Sequence, residues 1–204
     1  VSSASGRSVG VGVPHQRRQT MLNLRETEKA FLEPHIFPGG TVVDFTMGNG
    51  NDTLWLSQRV GPAGRVYAFD IQQQALDRTA QRLKIEGEYD NYTLICDSHH
   101  NAPQYVKTPI CAGIFNLGFL PGGDKGITTL RETTLPAVEY ALTLLAPKGA
   151  LLIAVYPGHE EGRLEGELLQ ERLSVLPQKE YSVSLLKIVN APDCPFFYLI
   201  EKNK

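Results

Sequence analysis

Residues 41–53 read Thr41-Val42-Val43-Asp44-Phe45-Thr46-Met47-Gly48-Asn49-Gly50-Asn51-Asp52-Thr53. This stretch predicts a buried strand that ends in an acidic residue, a loop with two glycines, and the start of a helix. Gly48 and Gly50 can adopt positive φ and let the backbone approach a ligand that a Cβ would block. Because the first turn of a helix offers free N–H groups and a positive dipole end, the stretch predicts a nucleotide-type pocket.

The composition is that of a soluble globular protein with one domain. The 204 residues are 42% hydrophobic and 21% charged, which is typical of such domains. No apolar run is long enough for a membrane span, so we expect no membrane role. Twenty basic and 22 acidic residues give a net charge of −2. This value excludes a strongly basic nucleic-acid binder but leaves a local basic patch open.

Neither the cysteines nor the histidines predict a metal site. Cys96, Cys111 and Cys194 are far apart and form no C-x-x-C pair, so we expect free thiols in a reducing compartment. The adjacent pair His99-His100 sends its side chains in different directions, and no cysteine or carboxylate at a suitable spacing supports zinc.

The N-terminal stretch differs in composition from the rest of the chain. Residues 1–25 contain no acidic residue but carry four arginines and several serines. This composition resembles the remnant of a transit peptide, and it predicts a location in a chloroplast or mitochondrion. A disordered tail on a cytoplasmic protein is the alternative. We therefore expect a flexible leader over residues 1–22 and a single domain over residues 23–204.

Hydrophobic periodicity predicts strands that alternate with helices. Predicted strands cover residues 41–45, 65–70, 92–96, 110–116, 150–156, 181–189 and 196–201, and predicted helices cover residues 24–35, 52–60, 72–85, 128–145 and 160–176. This α/β alternation predicts a doubly wound, mostly parallel sheet. No helix separates the last two strands, so we expect an antiparallel hairpin. A seven-stranded sheet with an antiparallel last strand is the Rossmann-like fold of a class I methyltransferase.

Polar side chains follow the predicted strands at their carboxyl ends, where ligands bind in open α/β sheets. Asp70 lies about 20 residues beyond the glycine loop, where a carboxylate can accept both ribose hydroxyls. Asp97 and Ser98 can reach the adenine edge. Helix capping alone would explain one or two of these acids but not all of them. The predicted cofactor-binding residues are Asp44, Thr46, Gly48, Asn49, Gly50, Asn51, Asp52, Thr53, Asp70, Ile71, Gln72, Asp97, Ser98, His99 and Asn116.

Two features of the loop favour S-adenosylmethionine over NAD. Thr53 replaces the third glycine of G-x-G-x-x-G and disturbs the close helix–strand packing of a dinucleotide site. Asp44 would face a pyrophosphate with like charge, whereas a sulfonium ligand with an amino-acid tail tolerates a carboxylate. We therefore expect a methyl donor as the cofactor.

A second motif follows the fourth predicted strand and reads Asn116-Leu117-Gly118-Phe119-Leu120-Pro121-Gly122-Gly123-Asp124-Lys125. Its first four residues fit the N-x-x-[FYW] register of methyltransferases that act on exocyclic amines. An amide oxygen and a backbone carbonyl there accept the amine hydrogens and orient the nitrogen lone pair for in-line transfer. An ordinary Gly/Pro loop is the alternative, although loops after strands often carry function.

With both motifs in view, the chain resembles the small bacterial S-adenosylmethionine-dependent methyltransferases long labelled rRNA methylases and now assigned to tRNA wobble-uridine modification. Further matching segments are Phe69-Asp70-Ile71-Gln72, Asp97-Ser98-His99, Thr128-Thr129, Glu132-Thr133-Thr134 and Tyr156-Pro157-Gly158-His159. The likeness spans roughly residues 22–202. It implies methylation of the primary amine of 5-aminomethyl-(2-thio)uridine in the tRNA anticodon loop. Asp193-Cys194-Pro195-Phe196 departs from the family's Asn-x-Pro-Pro, so RNA specificity can differ.

An alkylammonium must lose a proton before it can attack a methyl group. We expect His159, Asp124 or His99 to accept that proton, although His159 could instead cap the helix at Glu160. The predicted catalytic residues are Asn116, Leu117, Asp124 and His159. The predicted substrate-binding residues are Gly118, Phe119, Leu120, Pro121, Gly122, Gly123, Lys125, Tyr156 and His159, with Phe119 and Tyr156 as stacking surfaces for a flipped-out base.

Basic side chains near the predicted pocket are candidates for RNA contact, namely Lys125, Arg131, His159, Arg163 and Lys187. A solvated surface would equally explain these charges. Three alternatives to the tRNA methyltransferase stay open: a methyltransferase for another RNA base, one for a small-molecule amine, and a non-catalytic nucleotide- or RNA-binding module. A homodimer is a further option that the sequence does not decide.

Overall fold

The computed structural model describes residues 23–204, so the predicted leader over residues 1–22 lies outside the described residues. The strands are β1 (Thr41–Asp44), β2 (Arg65–Asp70), β3 (Tyr92–Cys96), β4 (Ile110–Asn116), β5 (Leu145–Val155), β6 (Tyr181–Leu186) and β7 (Phe196–Lys202). The α-helices are α1 (Leu24–Leu32), α2 (Asn51–Val60), α3 (Gln73–Glu86), α4 (Ala102–Tyr105), α5 (Arg131–Leu144) and α6 (Glu160–Ser174). Among these residues no helix combines the length and apolar character that a membrane crossing needs.

The strands form one seven-stranded sheet in the order β3-β2-β1-β4-β5-β7-β6. β1 to β5 pair in parallel, whereas β7 runs antiparallel to both β5 and β6. The predicted mostly parallel sheet with an antiparallel last strand is therefore confirmed. The winding reverses between β1 and β4, and in open α/β sheets this is where ligands bind.

Helices cover both faces of the sheet because alternate strand residues point to opposite faces. Val43, Phe45 and Phe115 belong to the core that includes residues of α4, α5 and α6, and the rings of Phe45 and Phe115 stack at 4.2 Å. Val42 belongs to the opposite core, with residues of α1 and α2. Both cores are rich in large apolar side chains, so the strand ends rest on a rigid layer.

The structure differs from the predicted elements at several places. The predicted helix over residues 24–35 ends at Leu32 and is followed by the 3₁₀ helix Glu33–His35, and the predicted strand over residues 181–189 ends at Leu186. The short helix α4 and the 3₁₀ turn His99–Asn101 before it were not predicted, because so few residues show no helical periodicity. β5 begins at Leu145 rather than at residue 150: Leu145 pairs with Ile110 and Ala150 with Ala112, so the residues between them bulge out. α5 begins at Arg131 rather than at residue 128, because residues before it close a loop.

Candidate active site

A cleft of about 520 Å³ opens at the carboxyl ends of β1, β2 and β4. It therefore lies where the winding of the sheet reverses. Most predicted site residues are brought together in its wall, namely Thr46, Gly48, Asn49, Asn51, Asp52, Asp70, Ile71, Gln72, Asp97, Ser98, His99, Asn116, Leu117, Gly118, Phe119, Leu120, Pro121 and Tyr156. The remaining predicted residues lie outside that wall, namely Asp44, Gly50, Thr53, Gly122, Gly123, Asp124, Lys125 and His159.

Asp44 is fully buried and holds the glycine loop together from beneath. Its carboxylate accepts hydrogen bonds from the Thr46 N–H at 3.1 Å and from the Thr53 hydroxyl at 2.7 Å. Burial, together with the negative charge of Asp52, raises the pKa of Asp44 to about 7. The carboxylate thus turns into the loop and does not face a ligand. Our charge argument against a pyrophosphate does not hold for Asp44, and Thr53 stabilises the turn as its hydrogen-bond donor.

The glycine loop takes its shape from two residues with positive φ. Gly48 has φ 51° and Gly50 has φ 77°. A Cβ on Gly50 would lie 3.0 Å from the Thr79 Cα and closer still to the Thr79 side chain. Gly50 is also the N-cap of α2 and supplies no side-chain cap. The first turn of α2 therefore offers its backbone N–H groups to a ligand.

Asp70 and Asp97 occupy the half of the wall where we predicted the ribose and the adenine. Asp70 accepts from the Gly48 N–H at 3.1 Å and the Gln72 N–H at 2.9 Å, and burial raises its pKa. With one bond on each oxygen, its carboxylate keeps lone pairs for further donors. Asp97 accepts from Asn101 and Tyr105, and these bonds help to hold its pKa below its usual value.

Asn116 ends β4 with its side-chain amide held in one orientation. Its Nδ2 donates to Asp52 Oδ2 at 2.9 Å, and its backbone N–H donates to Thr46 Oγ1 at 2.7 Å. Asp52 is in turn fixed by Lys29, whose Nζ lies 3.2 Å from Asp52 Oδ1. Because the carboxylate accepts from the amide nitrogen, the amide oxygen is left to accept from a ligand N–H group.

The loop after Asn116 is closed by hydrogen bonds across its base. The Gly118 N–H donates to Thr129 Oγ1 at 2.9 Å, and the Thr129 N–H donates to the Gly118 carbonyl at 2.9 Å. The Thr129 hydroxyl itself donates to the buried carboxylate of Glu165 at 2.8 Å. In a trans peptide the carbonyl points opposite to the following N–H. The Leu117 carbonyl therefore points away from Thr129 Oγ1 and is not used in closing the loop.

The side chain of Phe119 forms an exposed platform on this loop. Phe119 is 38% exposed, and the Lys125 Nζ lies 5.7 Å from the centroid of its ring. The His159 ring lies 6.0 Å away on a tilted plane. An aromatic face with a cation beside it suits a nucleobase and a nearby phosphate.

Two of the three predicted proton acceptors already accept hydrogen bonds from backbone N–H groups. The Nδ1 atom of His159 accepts from the Gly162 N–H at 3.1 Å and caps α6, so a neutral His159 carries its proton on Nε2. Asp124 is exposed, and its Oδ1 accepts from the Gly126 N–H at 2.8 Å. The capping alternative for His159 is therefore what the structure shows.

His99 lies in the wall but is a weak base. It is buried, and its Nδ1 lies 3.1 Å from the Phe45 carbonyl, an acceptor that requires a proton on Nδ1. Burial lowers the pKa of His99 to about 4. The ring is thus neutral at physiological pH, with the lone pair on Nε2.

Sequence reasoning missed several residues of the wall. Arg25 reaches the cleft from α1, and apolar or hydroxyl side chains come from Phe45, Met47, Phe69 and residues 127–130. His100 and Thr133 complete the set that we did not predict. Arg25 was counted with the acid-free leader, and no spacing signal indicated that α1 would dock beside β5 and β7. The buried apolar residues could have been found from their places next to the glycine loop.

Unpartnered polar atoms show that the wall fits a polar ligand such as S-adenosylmethionine. His99 Nε2 and Thr128 Oγ1 are buried and have no hydrogen-bond partner, a rare state unless a ligand completes it. At the other side, Arg25 and Asp52 bring opposite charges to the wall, as a zwitterionic amino-acid tail requires. Within residues 23–204 no group of three or more His, Cys, Asp or Glu side chains could hold a metal ion.

The sheet order, the glycine loop and the acidic strand ends define a class I, S-adenosylmethionine-dependent methyltransferase. The chain belongs to the family described as "Putative rRNA methylase", whose model matches residues 66–202.

Known relatives agree with this assignment. The chain is 36% identical to the chloroplastic tRNA (mnm(5)s(2)U34)-methyltransferase of Arabidopsis thaliana, over 88% of this chain and 70% of that protein. A solved rRNA methylase from Clostridium thermocellum is 38% identical with a TM-score of 0.86, covering 90% of this chain and 99% of the other. A methyltransferase from Streptococcus mutans, solved in complex with SAH, is 36% identical with a TM-score of 0.80 and the same coverage.

We predict that Gly50→Ala destabilises the fold far more than Gly39→Ala. Both glycines have positive φ, 77° and 85°, so both substitutions introduce backbone strain of about 1 kcal/mol. Only at Gly50 does the new Cβ meet a neighbour within 4 Å, because Gly39 has open space around it. Urea unfolding should show a further loss of about 2 kcal/mol at Gly50. Equal losses at both positions would contradict the proposed close packing of Gly50 on Thr79.

We also predict that Asp44 makes the protein less stable as pH rises. Its pKa is raised from 3.8 to about 7 in the fold, so the folded state binds more protons than the unfolded state between those values. The Asp44 carboxyl therefore makes its full contribution to the free energy of unfolding below about pH 4. This contribution decreases as the pH rises to about 7, by at most about 4 kcal/mol in total. Glu28, whose pKa is also raised to about 7, contributes with the same sign.

Urea unfolding at pH 5 and pH 8 tests this dependence. Asp44→Asn should lose less stability across the interval than the unchanged protein does. Asp193→Asn, at an exposed position, serves as the control and should behave like the unchanged protein. An unaltered pH dependence in Asp44→Asn would show that the Asp44 carboxyl does not titrate in this range.

Proposed function

We propose that this chain methylates the primary amine of 5-aminomethyl-(2-thio)uridine at the wobble position of tRNA. The observation that carries the proposal is the Asn116 amide, whose nitrogen is held by Asp52 and whose oxygen is left to accept from an amine. The name of the Arabidopsis relative gives the same class of substrate. A small-molecule amine would not require the exposed Phe119 platform beside Lys125.

The donor is held by the wall of the cleft on its two polar sides. Asp70 would bind the ribose hydroxyls, the first turn of α2 and Arg25 would bind the carboxylate of the tail, and Asp52 would face the tail ammonium. When bound, the donor supplies a methyl group on a positively charged sulfur. The rest of the catalysis is positioning by this chain's own residues.

The acceptor amine would be oriented by two oxygens at the end of β4. The Asn116 Oδ1 and the Leu117 carbonyl accept its two N–H groups, which directs the nitrogen lone pair into the cleft. Phe119 would stack on the extruded uracil ring, as aromatic side chains do with single-stranded bases. Lys125 would lie beside the anticodon backbone.

The other basic side chains that we predicted for RNA contact are less available. Arg131 donates to Glu161 at 3.0 Å, and Arg163 forms an ion pair with Glu167. The Lys187 Nζ lies 5.4 Å from the centre of the Phe196 ring. We propose that Lys125 is the main cation at the mouth of the cleft and that intrinsic RNA affinity is modest and weakened by salt.

We further propose that the protein works in an organelle. The Arabidopsis relative is named as chloroplastic, and residues 1–25 of this chain lack acidic residues. The tRNA pool of that compartment would then be the substrate.

Methylation of defined tRNAs tests the proposed function. The purified protein, given S-adenosylmethionine and a tRNA with 5-aminomethyl-2-thiouridine at the wobble position, should yield the methylaminomethyl nucleoside by mass spectrometry. The same tRNA with unmodified uridine should stay unchanged, because it lacks the amine. Methylation of free alkylamines without methylation of either tRNA would replace this proposal by the small-molecule alternative.

Asn116→Ala tests the proposed positioning of the amine. Loss of one orienting acceptor should lower kcat by about 10² to 10³-fold, while the Kd for S-adenosylmethionine changes by less than about threefold. Gln58→Ala, which removes an exposed amide from α2, is the control and should retain full turnover. Full turnover in Asn116→Ala would exclude the assigned role.

We expect the acceptor amine to lose its proton to solvent rather than to His159 or Asp124. At saturating donor, kcat/KM for tRNA should then rise about tenfold per pH unit from pH 6 to pH 8, since an alkylamine has a pKa of about 10. His159→Asn and Asp124→Asn should keep this slope. A plateau in the unchanged protein together with a loss of about 10² or more in one variant would identify that residue as the general base.

A further inference from the structure

A buried carboxyl group lies behind the cleft and has no role in the chemistry described above. Glu28 on α1 is 3% exposed, and its Oε1 atom is buried without a hydrogen-bond partner. Acidic side chains are almost never buried to this degree unless they are paired. The position of Glu28 therefore needs an explanation beyond packing.

Four ionisable side chains surround Glu28. Arg25 and Lys29 come from the same helix, Asp52 comes from α2, and Tyr156 follows β5. Arg25, Asp52 and Tyr156 line the cleft, so Glu28 lies one side chain behind its wall. The Lys29 ammonium is engaged by Asp52 at 3.2 Å.

Glu28 can change its charge near neutral pH. Burial and the negative charge of Asp52 raise its pKa to about 7, against the smaller opposite effects of Arg25 and Lys29. A positive charge in the cleft would favour the ionised form of Glu28, and its removal would favour the protonated form.

The two ligands of a methyl donor site differ by one such charge. During transfer the carbon–sulfur bond breaks, its electron pair stays on sulfur, and the amine lone pair forms the new nitrogen–carbon bond. The positive charge thus moves from sulfur to the methylated amine. S-adenosylmethionine and its product SAH are otherwise nearly the same in shape, so shape alone separates them poorly.

We propose that Glu28 is a specificity-determining residue that distinguishes the methyl donor from the product by charge. Glu28 is ionised while the sulfonium is bound, and it takes up a proton when only the product remains. The inference rests on the donor-binding part of the proposed function and is independent of the tRNA substrate. Because Glu28 acts through the field behind Asp52 and Arg25, it needs no direct contact with either ligand.

Linkage gives the expected size of the effect. If the donor lowers the pKa of Glu28 by one unit, its affinity rises about tenfold between low and high pH, and binding near pH 7 releases part of a proton. SAH lacks the sulfonium charge, so its affinity should depend on pH by less than about threefold. The affinity for S-adenosylmethionine relative to that for SAH should therefore increase with pH.

Isothermal titration calorimetry measures both the affinity for each ligand and the number of protons released on binding. S-adenosylmethionine and SAH are each titrated into the full chain at pH 6, 7 and 8, in two buffers of different ionisation enthalpy. The donor should bind about fivefold more tightly at pH 8 than at pH 6, because this interval covers most but not all of the tenfold limit, and it should release protons at pH 7. The same pH dependence for both ligands in the unchanged protein would overturn the proposal, whatever the variants do.

Two variants assign the effect to this residue. Glu28→Gln keeps the shape but removes the charge, so the pH dependence and the proton release on donor binding should both fall to the part that Asp44 contributes. Glu26→Gln, at an exposed position on the same helix, should behave like the unchanged protein. Proton release of unchanged size in Glu28→Gln would assign the proton to another acid, such as Asp44, and refute the role of Glu28. Absence of binding for both ligands would instead refute the donor site itself.

Discussion

The hydrogen bond from Asn116 Nδ2 to Asp52 Oδ2 joins the two halves of the active site. Asp52 belongs to the first turn of α2, after β1, and Asn116 ends β4, so the bond spans the place where the winding reverses. A side-chain amide has an NH2 group that donates hydrogen bonds and a carbonyl oxygen that accepts them. Because the Asp52 carboxylate accepts from the Asn116 NH2 group, the amide oxygen is the group that is left for a bound substrate. In the proposed reaction, this one bond would favour a substrate that donates hydrogen bonds, as an amine does.

The frame that holds Asp52 extends well beyond the cleft. Lys29 binds its other oxygen and lies 5.2 Å from the centre of the Trp55 ring. Below it, the Thr53 hydroxyl donates to the buried Asp44 carboxylate. Asp52 is thus fixed from α1 on one side and through its own helical turn on the other. The first helix, which carries Arg25, Glu28 and Lys29, therefore belongs to the candidate active site together with the glycine loop.

The sequence predicted the sheet well because most of its strands carry strong local signals. β2, β3 and β4 have the predicted bounds, since each is an apolar run between turn-forming or polar residues. The start of β5 was predicted five residues too late, because Pro147 and Gly149 are typical of a turn. Only the pairing of Leu145 with Ile110, a tertiary contact, shows that the strand begins earlier.

The site was predicted less completely, because spacing gives the place of a side chain but not its direction. An aspartate at a strand end can line the cleft, as Asp70 does, or turn into its own loop, as Asp44 does. His159 lies three residues after the predicted end of β5, as expected for a site residue, yet its Nδ1 caps α6. Arg25 reaches the wall only because α1 docks on β5 and β7, which no local pattern records.

Acidic side chains lie mainly in and behind the wall of the cleft, and a basic side chain lies at its mouth. Two carboxyl groups, Asp44 and Glu28, lie behind the wall, and Asp52, Asp70 and Asp97 lie in it, whereas Lys125 lies beside the exposed Phe119 ring at the mouth. A cationic donor is attracted to the acidic interior, and a polyanionic RNA is attracted to the rim and repelled from the interior. Under the proposed function, the RNA backbone would therefore stay at the surface, and an extruded base with an amine would be the part that enters. The same separation would let a chain with a net charge of −2 act on the proposed nucleic-acid substrate.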